Sequence, residues 1–180
     1  MEWSDIPGWF DYADLYDRAV REAPVGGTLS ELGCWFGRST CYLAQRAKES
    51  GKRLQIIVID TFLGTEGDAV HKGIVPSGSF RPQFEDNMNR AGVLDLLTVI
   101  EEDAATAHRR IPTASLDFLF IDGDHSYAAV RRDILNFRSK VRQGGILAGH
   151  DYGHSAEVRR AVDEIFGPCP ASVASWAIRV

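Results

Sequence analysis

At 180 residues the chain is of single-domain length and long enough to bury a sizeable hydrophobic core. Its composition, 44% hydrophobic and 25% charged, is that of an ordinary globular protein. A formal net charge of −5 argues against non-specific binding to a nucleic-acid backbone, and no stretch approaches the ~18 apolar residues of a membrane span.

The opening segment Trp9 to Ala23 places Phe10, Leu15 and Val20 at roughly helical spacing, and Pro24 with Gly26-Gly27 stops it. Thr28 to Gly33 reads as the first strand and Ser39 to Lys48 as the first core helix, ended near Gly51. Leu54 to Asp60 is almost wholly apolar, as a strand buried on both faces must be. Phe62 to Phe80 has no helical period and reads as a long irregular loop, a feature usually tied to function or disorder. Pro82 to Ala91 reads as a helix, Leu96 to Ile100 as a third strand and Leu116 to Asp122 as a fourth. Tyr127 to Val141 reads as a helix broken by Gly144-Gly145, and Ile146 to Ala148 as a short fifth strand running into His150-Asp151. Ala156 to Phe166 closes the helices, and Ser175 to Val180 suits an edge strand. Strands alternating with amphipathic helices imply one α/β domain over residues 1–180, a mostly parallel sheet with helices on both faces.

Cysteines at 34, 41 and 169, with no CxxC, fit a reducing compartment and give no zinc site. The acidic start Met1 to Asp5 is no secretion signal, so a cytoplasmic location is expected. The pairs Arg109-Arg110, Arg131-Arg132 and Arg159-Arg160 read as solvated helix faces.

Four strands end in acidic or polar residues: Glu31-Leu32-Gly33, Asp60, Asp122 and His150-Asp151. In an open parallel sheet the carboxyl ends of the strands line one crevice, where ligands bind. Any single Asp there also suits a turn or a helix cap; their recurrence points to a site. Gly33 and Gly37 stand four apart with Trp35 and Phe36 between them, which is not the GxGxxG of a pyrophosphate cradle. A nucleoside with a zwitterionic tail suits the loop better. Ser39, near a helix N-terminus, suits its carboxylate, Asp60 its ribose hydroxyls and Glu31 its ammonium side.

Glu31 to Ala44 (ELGCWFGRSTCYLA) resembles the first motif of class I S-adenosylmethionine-dependent methyltransferases, and especially the loop of catechol O-methyltransferase-like enzymes. Phe118 to Tyr152 (FLFIDGDHSYAAVRRDILNFRSKVRQGGILAGHDY) is similar to a narrower group. These are the bacterial sugar and natural-product O-methyltransferases related to macrocin O-methyltransferase and to cephalosporin-hydroxylase-type proteins. The similarity runs from about Trp9 to the end of the chain.

The resemblance implies a Rossmann-like sheet of seven strands, the last antiparallel. It implies that Gly33, Trp35, Gly37, Ser39, Asp60, Thr61, Asp103, Ala104 and Asp122 line S-adenosylmethionine, with Asp103 equally suited to cap the helix that follows it. In metal-dependent relatives an Asp at the position of Asp122 binds Mg²⁺ and a His three positions later is the base; Asp122 and His125 match that spacing. The second ligand falls at the end of the fifth strand, where relatives carry acidic or amide pairs and this chain has His150-Asp151. Asp151 suits a hard cation, whereas an imidazole at His150 suits a transition metal better, and both histidines also suit plain hydrogen bonding at strand ends. Asp124 reads as a cap for the next helix.

The expectation is therefore an S-adenosylmethionine-dependent O-methyltransferase acting on a small-molecule acceptor, a sugar or secondary metabolite, with a divalent metal, Mg²⁺ by the resemblance. A homodimer is compatible, and neither nucleic acid nor membrane is an expected partner. Residues 1–27, with Trp3, Trp9, Phe10 and Tyr12, form a lid, and the 62–80 loop, with His71, lies on the acceptor side; the aromatics equally suit the core. A non-catalytic cofactor-binding protein and an NAD-dependent oxidoreductase are the alternatives; the first has no need of Asp122, His125 and Asp151 together, and the second is disfavoured by the glycine spacing.

Overall fold

The computed structural model describes residues 1–64, 78–169 and 174–180. Six strands among them form one sheet: β1 (Thr28–Leu32), β2 (Gln55–Asp60), β3 (Leu97–Glu101), β4 (Leu116–Ile121), β5 (Val141–His150) and β6 (Ser175–Arg179). Their order is β3-β2-β1-β4-β5-β6, parallel throughout except for β6, which pairs antiparallel with β5. Helices α1 (Ala13–Glu22), α2 (Arg38–Glu49), α3 (Arg81–Arg90), α4 (Ala104–Ala107), α5 (Tyr127–Phe137) and α6 (Ala156–Phe166) cover its two faces. This is a Rossmann-like α/β arrangement.

Side-chain alternation along each strand decides which core it feeds. Leu29, Ile56, Val58, Phe118, Phe120, Ile146 and Ala148 pack with the α1, α2 and α3 side. Leu32, Ile59, Ile100, Leu119, Ile121 and Leu147 pack with the α5 and α6 side. All six residues of β4 are buried, so the central strand has no room for a solvated face.

The chain runs outward from β1 through β2 to β3, then returns to place β4 on the other side of β1. That reversal opens a crevice beyond the carboxyl ends of β1 and β4. The two strand ends approach closely there: Asp122 N–H donates to the Leu32 carbonyl at 2.7 Å. Gly33 allows it, because a Cβ at its φ of +83° would collide with the Asp122 carbonyl oxygen and sit 2.5 Å from its carbon.

Several sequence-based boundaries are corrected. The sheet has six strands among the described residues, not the seven expected: β6 pairs directly with β5 at the edge. The opening helix begins at Ala13 rather than Trp9, after a 3₁₀ turn at Trp3–Asp5. The fifth strand starts at Val141, not Ile146, and the helix before it ends at Phe137. A bulge hides this: Leu116 faces Val141 and the next registered pair is Phe118 with Ile146, so four residues of β5 oppose Asp117 alone. Asp117 holds the bulge, taking Arg142 Nε at 2.5 Å and the Thr28 N–H at 2.7 Å. No helix is long and apolar enough to cross a membrane, among the described residues.

Candidate functional site

The crevice at the switch point is a cleft of about 1300 Å³. The strand ends singled out in the sequence meet in it: Gly33, Trp35, Ser39, Asp60, Thr61, Asp103, Ala104, Asp122, His125, His150 and Asp151 all line it. Most of the 62–80 loop, including His71, lies outside the described residues.

The β1–α2 loop forms the floor. Cys34 N–H donates to Asp60 Oδ2 and Phe62 N–H to Asp60 Oδ1, each at 2.7 Å. The carboxylate at the end of β2 is thereby locked, and each oxygen keeps a lone pair for a ligand hydroxyl. Trp35 holds a left-handed φ of +49° and packs on Phe36 and Phe80 at 4.7 and 5.2 Å between ring centroids. Asp103 caps α4 through Oδ1 on the Ala105 N–H at 2.7 Å and also lines the cleft.

Two expected cofactor residues are placed elsewhere. Gly37 caps α2 at φ +91°, where a Cβ would lie 2.6 Å from Met88 Cε and 2.9 Å from Phe84; its role is packing. Glu31 is fully buried beneath α2 instead of facing the cleft. It accepts from Tyr16 Oη at 2.6 Å and from the Thr40 hydroxyl. Burial lifts its carboxyl to about 7, against the pull of hydrogen bonds from Ser39, Thr40 and Tyr16. Strand alternation explains the placement, because Glu31 shares the face of Leu29 and not that of Leu32.

Opposite the floor, β4 and β5 bring a charged cluster together. His125 Nε2 stands 3.1 Å from Asp151 Oδ2 and 3.5 Å from Asp122 Oδ1. His150 Nδ1 faces the same two oxygens, at 3.3 and 3.5 Å. One ligand atom from each of Asp122, His125 and Asp151 lies within 4.8 Å of the others, a grouping close enough to hold a cation. Asp151 holds a left-handed φ of +59°, an uncommon conformation for a non-glycine.

The two histidines answer the two carboxylates. Burial works against the Asp122 carboxylate, yet hydrogen bonds from His125 and His150 outweigh it and hold the group below its usual range. The bond to His150 does the same for Asp151. In return His125 is raised by its bond to Asp122, and His150 to about 11 by Asp122 and Asp151 despite its burial. Asp124 stands aside, its Oδ1 accepting the Ser126 N–H at 2.7 Å ahead of α5.

The N-terminal segment supplies contacts that the sequence does not announce. Tyr12, 4% exposed, donates to Asp122 Oδ2 at 3.2 Å, and Asp11 Oδ1 lies 2.9 Å from His150 Nε2. Trp3 and Phe10 pack on Tyr42 of α2, while Trp9 alone of these aromatics stays open, 67% exposed at the cleft. Arg38 also lines the cleft, its guanidinium donating to the Gly8 carbonyl at 2.9 Å. Arg132 and the buried Asp133, paired at 2.9 Å, form the wall near Asp103. These contacts cross 110 residues or more in the case of Asp11 and Tyr12, so no local pattern could reveal them.

Comparison with known proteins is consistent across the chain. Residues 30–152 match a family model described as a methyltransferase domain. Among solved structures, the O-methyltransferase NovP superposes with a TM-score of 0.74 at 20% identity, over 93% of this chain and 78% of that one. CalS11, described as a TDP-rhamnose 3'-O-methyltransferase of calicheamicin biosynthesis, gives 0.62 at 18%, over 93% and 77%. An S-adenosylmethionine-dependent O-methyltransferase from Thermotoga maritima gives 0.60 at 13%, over 88% of this chain and 51% of that one.

Proposed function

The chain belongs to the methyltransferase-domain family, and from that premise we propose that it transfers a methyl group from S-adenosylmethionine to a hydroxyl of a small sugar or secondary-metabolite acceptor, assisted by a divalent cation. The observation that carries the oxygen acceptor and the cation is the cluster of Asp122, His125, His150 and Asp151 facing the floor built by Gly33 and Asp60. NovP and CalS11, both O-methyltransferases by description, support the same acceptor atom.

Each group on the floor has a task on this reading. Asp60, fixed by two backbone N–H groups, takes the ribose hydroxyls. Ser39, at the N-terminus of α2, meets the cofactor carboxylate where N–H groups point outward. Asp103 and Ala104 flank the base. The methyl-bearing sulfur is thereby aimed toward β4, and positioning of this kind supplies much of the rate.

The donor set of the cluster fits a divalent cation: the Asp122 and Asp151 carboxylate oxygens suit Mg²⁺ or Mn²⁺, and the His150 imidazole beside them adds tolerance for transition metals, which leaves His125 outside the ligand set. A bound cation lowers the pKa of an acceptor hydroxyl by many units. Exposure separates the two histidines. The His125 side chain is half exposed and can meet an acceptor, whereas that of His150 is 12% exposed and engaged by Asp11. His125 takes the acceptor proton; the oxygen then attacks the methyl carbon in line as the carbon–sulfur bond breaks, leaving S-adenosylhomocysteine.

The test is methyl transfer from labelled S-adenosylmethionine to a panel of sugars and phenols, with product identified by NMR. O-methylated product that disappears with EDTA or with Asp122→Ala, while S-adenosylhomocysteine still binds, supports the reading. Turnover surviving both would sink the cation role, and an N-methylated product the acceptor class.

A further inference from the structure

The N-terminal segment reaches the cation cluster through two side chains. Tyr12 is buried against Phe120 at 4.4 Å and His150 at 4.8 Å between ring centroids, and its hydroxyl meets Asp122 Oδ2. That contact leaves Asp122 Oδ1 as the oxygen turned to His125 and His150. Asp11 Oδ1 lies against His150 Nε2. A carboxylate only accepts, so both ring nitrogens of His150 carry protons in the metal-free protein: Nε2 donates to Asp11, and Nδ1 is the nitrogen that faces Asp122 and Asp151. A carboxylate behind an imidazole whose second nitrogen faces the cluster is the arrangement that orients histidines in metal sites.

We propose that Asp11 and Tyr12 are positioning residues of the cation site, Tyr12 fixing which Asp122 oxygen faces the ion and Asp11 fixing the ring of His150. The inference rests on the cation reading above. It assigns the segment at the front of the chain to the inner structure of the site, in addition to any covering of the acceptor. Neither side chain touches the ion itself, so their removal loosens the site without emptying it. The loss expected from such orienting groups is ~10–100-fold in metal affinity.

Mn²⁺ alone, titrated into the full chain and followed by calorimetry or by its electron paramagnetic resonance signal, reads this without an acceptor. Wild-type protein should bind one ion, Tyr12→Phe and Asp11→Ala about tenfold or more weakly, and Asp11→Asn, which keeps an acceptor oxygen, close to wild type. Thermal melting without metal reports whether each variant is folded; Asp11, with a side chain 55% exposed, is replaceable without disturbing the core even if Tyr12→Phe melts early. Wild-type binding with unchanged affinity in Asp11→Ala and Tyr12→Phe overturns the positioning role and leaves the cation reading standing. Absence of Mn²⁺ binding to the wild type overturns both.

Discussion

Gly33→Ala separates the demands of the cleft from those of the backbone. At φ +83° an alanine pays about 1–2 kcal/mol for the left-handed conformation alone. Its Cβ would also sit 2.5 Å from the Asp122 carbonyl carbon, where ordinary contact begins near 3.4 Å, so the β4 end must retreat by about 1 Å. The Asp122 N–H bond to Leu32 then lengthens or breaks, at roughly 1 kcal/mol. Together the change costs about 2–3 kcal/mol, and for a chain of this length the melting temperature falls by about 4–12 °C. The same 1 Å shift moves Asp122 and weakens turnover by roughly 100-fold. Gly51→Ala is the control, because φ there is +65° and nothing lies within 4 Å of a Cβ. It should show the conformational cost alone and leave the site untouched. Differential scanning calorimetry and the methyl-transfer rate measure the two parts. If Gly33→Ala matches Gly51→Ala in both, the close approach of β1 and β4 does not organise the site.

The carboxyl of Glu31, at about 7 when folded against 4.5 ordinarily, keeps its proton in the folded state at pH values where the unfolded chain has lost it. Its contribution is full below pH 4.5 and is lost as pH rises through 7, a fall of about 3 kcal/mol by linkage. Glu31→Gln should flatten urea-derived stability over that window; parallel profiles would contradict the burial argument. Asp60→Ala strips the acceptor from the Cys34 and Phe62 N–H groups as well as from the ligand, and S-adenosylhomocysteine affinity should drop by about 10–100-fold in calorimetry. A drop under twofold would place the ribose elsewhere. His125→Gln should lower the methyl-transfer rate by roughly 10²–10⁴ with cofactor affinity unchanged; a wild-type rate excludes it as the base.

Strand ends carried most of what the sequence could say. Apolar runs closing on Asp60, Asp122 and Asp151 were legible because parallel strands end together on one rim, and the cleft gathers all three. The β5 start was not legible, because Gly144-Gly145 is a break by composition and a bulge by register, held by Asp117 from another strand. Glu31 misled for the opposite reason: its place in the loop motif suggested a ligand contact, while period-two alternation on β1 sends it under Tyr16 and Thr40. Asp11 and Tyr12 depend on packing across more than 100 residues and leave no local trace.

The account stands or falls on the cofactor. Calorimetric titration of purified protein with S-adenosylhomocysteine, beside a parallel titration with NADH, tests it most directly. The floor built by Gly33, Ser39 and Asp60 predicts saturable one-to-one binding of S-adenosylhomocysteine and none of NADH. No heat from S-adenosylhomocysteine, or preference for NADH, would contradict it.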